Sequence, residues 1–207
     1  MPLLREVPLD EIKNENVREW FRRIFGDRDP VAEPGTPTGT SGNWWTVFAN
    51  SPDVLLNSAE FLALGADAEN RAITPRYREL GVLRQAWLNG SKFMYSQHCK
   101  IARGVAGLTQ EEVSAISGWQ VSDLFTQVER ALLALTDSIV SEHGRIDPKV
   151  IEVLREQLTD EAILEFAYVT ALYMAHGTIT RAFRLEYDDM DDPIVEVPAP
   201  AGAQLGH

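Results

Sequence analysis

Cysteine is nearly missing from this chain of 207 residues, and the lone Cys99 excludes an internal disulfide. Basic side chains are scarce as well. Nineteen Lys and Arg face 31 Asp and Glu, a formal net charge of -12. The resulting field repels phosphate backbones and no Lys/Arg cluster offsets it, so nucleic acid is not an expected partner. A small anionic substrate meets the same field and would need cations placed locally in its pocket. Long apolar runs are lacking: even LLALTDSIV is broken by Thr136, Asp137 and Ser138, short of the ~18 to 20 residues that a bilayer crossing needs. No membrane span is expected. The opening MPLLREVPLDEIKNE has neither the basic nor the apolar region of a secretory signal, which gives a cytoplasmic expectation. Histidines are few and badly spaced for a metal. His143 sits beside an expected helix end, His176 has no carboxylates spaced to join it, and His207 is terminal.

What is present is helical periodicity. The length suits one domain, which buries roughly 70% of its extended-chain surface. Ile12, Val17, Trp20, Phe21, Ile24 and Phe25 recur at helical spacing over residues 10–25, and Gly26 ends the run. GDRDPVAEPGTPTGTSGN then reads as a connector in preference to a lid. Ser51-Pro52 and Thr74-Pro75 are start signals for the next two helices, and Asn89-Gly90 closes the second. Further helices are expected from Ser91 to Ala106, from Thr109 to Ile116 behind a capping box with Glu112, from Ser122 through Ile139, after Asp147-Pro148, and from Asp160 to Tyr187. No segment alternates with period two over a strand's length. The expectation is therefore all-α, with residues 1–187 as a single helical domain and residues 188–207 as an extended acidic, proline-rich tail.

The richest stretch for chemistry lies at 76–116. Glu79 stands about ten residues before the Asn89-Gly90 turn and His98 about eight after it, so at ~1.5 Å per residue their heights on two antiparallel helices differ by only ~3 Å. His98 shares its face with Ser91, Met94, Tyr95, Ile101 and Ala102, while Glu79 shares its stripe with Val82, Leu83 and Ala86; both point inward. Burial tends to raise a glutamate's pKa and lower a histidine's, so the pair is expected to exchange a proton near neutral pH; the plain alternative is a hydrogen bond that only bridges helices. Tyr95 offers a phenolic donor or simply core. Cys99 diverges from His98 by about 100° and cannot form a nucleophile and base with it. Among the nearby cations Arg76, Arg78, Arg84 and Lys92, most are expected on the surface, with Arg84 the one to grip a substrate carboxylate bidentately.

RELGVLRQAWLNGSKFMYSQHCKIARGVAGLTQEEVSAI resembles the core of the carboxymuconolactone decarboxylase and alkylhydroperoxidase D superfamily, in which a Glu-Leu-x-x-Leu-Arg helix precedes a motif helix and a Gly-Leu-Thr/Ser capping box. The peroxidase branch carries a Cys-x-x-Cys with a histidine four residues on. Here Ser91 and Met94 hold the cysteine positions, so the thiol route from peroxide to dithiol reductant is closed. The decarboxylase branch reads Tyr-Glu-Trp-x-x-His, which falls on Phe93 to His98, with Met94 in place of the glutamate. The resemblance implies an alkylhydroperoxidase D-like helical bundle. It also implies a cofactor-independent decarboxylase, or a related lyase or isomerase, acting on a small cyclic carboxylate or lactone. His98 and Glu79 would be catalytic, and Arg84, Tyr95, Met94 and Ser91 substrate-binding, without metal or cofactor. Homotrimeric or hexameric assembly follows from the same resemblance, as do two alternatives: a non-catalytic ligand-binding member and an antioxidant peroxidase.

Overall fold

The computed structural model describes residues 1–66 and 70–186, and every regular element among them is helical. A 3-10 turn at Leu9–Glu11 precedes α1 (Glu15–Phe25), α2 (Asn43–Phe48), α3 (Pro52–Ala66), α4 (Pro75–Asn89), α5 (Lys92–Gly104) and α6 (Gln110–Ala115). A second 3-10 segment, Ile116–Val121, leads to α7 (Gln127–Ser141), α8 (Pro148–Arg155) and α9 (Asp160–Phe183). Among the described residues the chain is all-α, a helical bundle. It forms two compact units: Met1–Ala66 with the chain from Thr180 onward, and Asp67–Ile179. The tail expected at 188–207 lies outside the described residues.

In the first unit α1 begins at Glu15, five residues beyond the start of its sequence pattern at residue 10, because Asn14 accepts hydrogen bonds from the Asn16 and Val17 amides and fixes the start. Ile12 is buried all the same. The segment after α1 is tied to itself: Thr36 N donates to Thr40 O at 2.9 Å, and the buried Thr36 and Thr40 hydroxyls meet at 2.8 Å. The short helix α2 has no local sequence signal. Its N-terminus is capped by Glu186, which accepts from Trp44 N at 2.9 Å, Gly42 N at 3.1 Å and Ser41 Oγ at 2.8 Å. Burial lifts the Glu186 carboxyl above its ordinary value despite these donors. Trp44 stacks on Phe48 and Trp45 on Trp20, so this aromatic pair packs within the unit.

The second unit is built around α4. Every residue from Glu79 to Ala86 is buried, so the helix has no solvent face over two turns. One core cluster joins Leu80 and Leu83 to α5, α6 and Leu133; another joins α7, α8 and α9 through Leu132, Leu154 and Phe166. α7 starts at Thr126, not Ser122, because Thr126 and Glu129 form a complete capping box that leaves Leu124 and Phe125 ahead of the helix. By length and composition α9 is apolar enough to cross a bilayer, a property the broken-run reading of the sequence passed over. Within its unit it buries Phe166, Val169, Thr170 and Tyr173.

Candidate acid–base site

Local signals hold the two helices of the site in register. Thr74 accepts from Tyr77 N, Pro75 opens α4, and Gly90 ends it with φ of 69°, a left-handed conformation suited to glycine. Ser91 follows at once as the N-cap of α5 and accepts from Met94 N at 3.3 Å. Helix, single glycine, cap and helix make a tight reversal, and it returns His98 to the level of Glu79.

His98 Nδ1 lies 2.7 Å from Glu79 Oε2, with the carboxylate fully buried and the imidazole 7% exposed. The other carboxylate oxygen is taken by Arg78, whose Nε donates to Oε1 at 2.9 Å. The expected upward shift of Glu79 does not occur. Burial does push its carboxyl upward, but the charge and hydrogen bond of His98, reinforced by Arg78, outweigh burial and hold it below the ordinary value. Glu79 is therefore an acceptor only, and the proton between the two side chains belongs to Nδ1. That leaves Nε2 as the imidazole nitrogen that Glu79 does not engage. Tyr173 on α9 sets its ring edge-on to the imidazole, centroids 4.7 Å apart, and burial raises its phenol well above the ordinary value.

The remaining expected site residues divide. Ser91 and Met94 are buried on the His98 face of α5, Ser91 as the cap. Tyr95 packs into the core cluster of α5 and α6, its hydroxyl donating to Val113 O at 3.4 Å. Burial first, and then neighbouring Cys99, push that phenol up to about 12. Arg84 is not brought to the pair. Its guanidinium grips Asp137 at 2.5 and 3.0 Å and donates to the carbonyls of Ile116 and Ser117, so it fastens α4 to α7 and the 3-10 segment. Cys99 is half-buried and burial raises its thiol pKa.

Sequence reasoning missed Arg78 and Tyr173. Arg78 read as a surface cation because its neighbour's carboxylate is on a different face of an ideal helix, and the long guanidinium stem crosses that gap. Tyr173 does lie on a buried stripe with Phe166, Thr170 and Gly177, but nothing local ties that stripe to His98. Among the described residues no three His, Cys, Asp or Glu side chains are grouped so that they could hold a metal ion.

Residues 58–138 match the Carboxymuconolactone decarboxylase family. Among solved structures the chain is similar to a protein of unknown function from Agrobacterium tumefaciens described as a putative antioxidant defence protein AhpD. The TM-score is 0.58 at 26% identity, over 66% of this chain and 92% of that one. It is also similar to the debrominase Bmp8, in a variant complexed with 2,3,4-tribromopyrrole (TM-score 0.66, 16% identity, 89% of this chain and 92% of that one) and in the apo form (TM-score 0.63, 16% identity, 89% of each chain). At that identity the debrominase likeness concerns the fold. No protein with a curated description matches the sequence.

Proposed function

We propose, from the premise that this chain belongs to the carboxymuconolactone decarboxylase and alkylhydroperoxidase D-like superfamily, that Glu79 and His98 run cofactor-independent acid–base chemistry on a small lactone or related cyclic carbonyl compound. The observation that carries this reading is the 2.7 Å contact of His98 Nδ1 with a buried Glu79 carboxylate whose second oxygen is held by Arg78. Nε2 takes a proton from the carbon beside the substrate carbonyl, the electron pair moves onto the carbonyl oxygen as an enolate, and the imidazolium returns the proton at a second carbon. Glu79 fixes the tautomer and stabilises the imidazolium without itself taking the proton.

Loss of carbon dioxide would generate the same enolate, with His98 as donor of the returning proton. Proton shift or lactone opening is placed ahead of it because Arg84, the expected anchor for a carboxylate, is engaged by Asp137. Peroxide reduction is set aside on the Ser91 and Met94 positions. Self-association belongs to the same reading: Trp87, Leu164 and Tyr168 are large apolar side chains that the second unit leaves more than half exposed, at 52, 70 and 55%.

The test is proton exchange. With the β,γ-unsaturated α-angelica lactone in deuterated buffer, NMR should show deuterium entering the ring and conversion to the conjugated isomer. His98→Ala should slow this by about 10² to 10⁴. Exchange at the wild-type rate in folded His98→Ala removes the mechanism, and binding of the lactone with no exchange by the wild-type protein points instead to a non-catalytic binding member.

A further inference from the structure

Gln85 is fully buried on α4, yet neither its Oε1 nor its Nε2 has a hydrogen-bond partner. A buried polar group left unmade costs about 1 to 3 kcal/mol, so a carboxamide with both ends unpaired is an expensive way to fill a helix core. Its place is definite. Gln85 is one helical turn from Gly81 and one turn from Asn89, on a single stripe. At Gly81 an added Cβ would stand 2.7 Å from the Phe166 ring and 2.8 Å from Thr170 Oγ1, and Asn89 Nδ2 donates to Met174 O at 3.1 Å. Both ends of the stripe therefore lie against α9. The α9 turn between Thr170 and Met174 carries Tyr173, whose ring abuts His98. Gln85 therefore faces the α9 turn that carries Tyr173, six residues or about 9 Å of helix rise along α4 from Glu79.

The charges nearby point the same way. Arg78 is bound to Glu79, Arg84 to Asp137, and Arg76 to Glu112 and Glu129. An anionic ligand drawn to any of these three arginines would compete with a carboxylate already holding it. A carboxamide, by contrast, presents a donor and an acceptor side by side with no charge.

We propose that Gln85 sets the ligand class of this site: its carboxamide pairs with the adjacent donor and acceptor of an uncharged ring, such as a cyclic amide, an imide or an enolised lactone, and the corresponding carboxylate is rejected. This rests on the acid–base reading only for where the ligand's reacting carbon lies. Entry requires the seam to yield, and the side chains available to move are Met94 and the half-buried Met174, unbranched thioethers that change rotamer readily.

The experiment uses the full-length protein and three probes titrated by NMR: 2-pyrrolidone, γ-butyrolactone and levulinate. The wild-type protein should bind 2-pyrrolidone most tightly and levulinate most weakly, and the Gln85 side-chain amide resonance should shift as 2-pyrrolidone is added. Gln85→Met, close in shape and without the amide, should weaken 2-pyrrolidone binding by about tenfold, the loss of two neutral hydrogen bonds. Unchanged affinity in folded Gln85→Met, an unmoved Gln85 amide resonance in the wild-type protein, or levulinate bound as tightly as 2-pyrrolidone overturns the proposal. The amide resonance needs no variant and so decides the matter even if Gln85→Met does not fold. If His98→Ala keeps full turnover while Gln85→Met loses binding, the acid–base reading falls and the ligand class stands; the reverse pair of results separates them the other way.

Discussion

Arg78 Nε donates to Glu79 Oε1 at 2.9 Å, on the oxygen that His98 does not use. The carboxylate is therefore bracketed by two donors, and this bracket reverses what burial alone would do to it. Replacing Glu79 with Gln should keep the volume and lose the charge that stabilises an imidazolium. Turnover of an active lactone is expected to fall by about 10² to 10⁴, read in kcat more than in KM. A drop confined to KM would make Glu79 a binding residue instead.

The same bracket predicts an acid limb in stability. Because the folded-state pKa of Glu79 lies below its ordinary 4.5, its ionised form stabilises the fold fully above pH 4.5. That contribution fades as pH falls from there through the folded value. Glu112, held down chiefly by its hydrogen bond from Arg76, follows the same sign. The gap in denaturant midpoint between the wild-type protein and Glu79→Gln should narrow as pH falls from 4.5. A gap that widens on acidification contradicts the assignment.

Arg84 should prove structural. Its side chain is 6% exposed and fastened to Asp137 and two carbonyls, so Arg84→Met is expected to cost about 3 kcal/mol in chemical denaturation. Asp137 keeps Trp119 Nε1 and Gln120 Nε2 as donors, which limits the loss. The folded fraction should retain its KM for a neutral lactone. A large rise in KM would restore Arg84 to the ligand.

Gly81 measures how closely α4 and α9 approach. Alanine is the better helix former by about 1 kcal/mol, yet Gly81→Ala should destabilise by about 1 to 3 kcal/mol because Phe166 and Thr170, both buried, leave no room for a methyl. Phe166→Leu in the same chain should recover part of the loss, a coupling that a double-mutant cycle reads directly.

Glu186 ties the end of the described chain to the start of α2. Glu186→Ala leaves the Gly42 and Trp44 amides without their acceptor, and a loss of about 2 to 4 kcal/mol is expected, with the Trp fluorescence transition shifted accordingly.

The sequence carried the elements whose instructions are local. Thr74-Pro75, Gly90, Ser91 and the Thr109 box each specify a helix end within four residues, and together they set the register that joins Glu79 to His98. Elements whose instructions come from far away were not legible. α2 depends on a carboxylate more than 140 positions later, and Arg84 is claimed by Asp137, 53 positions on. The start of α7 went to Ser122 because Leu124 and Phe125 continue the apolar pattern, while the stronger box at Thr126 decides the matter. Gln85 gave no signal at all, since a glutamine on a helix reads as solvent-facing until its neighbours are known.

The tautomer of His98 is the most direct test of the central claim. With ring nitrogens labelled with ¹⁵N, NMR at neutral pH should show Nδ1 carrying the proton that it shares with Glu79, and Nε2 as the nitrogen whose resonance responds to added lactone. Glu79→Gln should remove the strong Nδ1 proton signal. A His98 that carries its proton on Nε2 and none on Nδ1 would contradict the account.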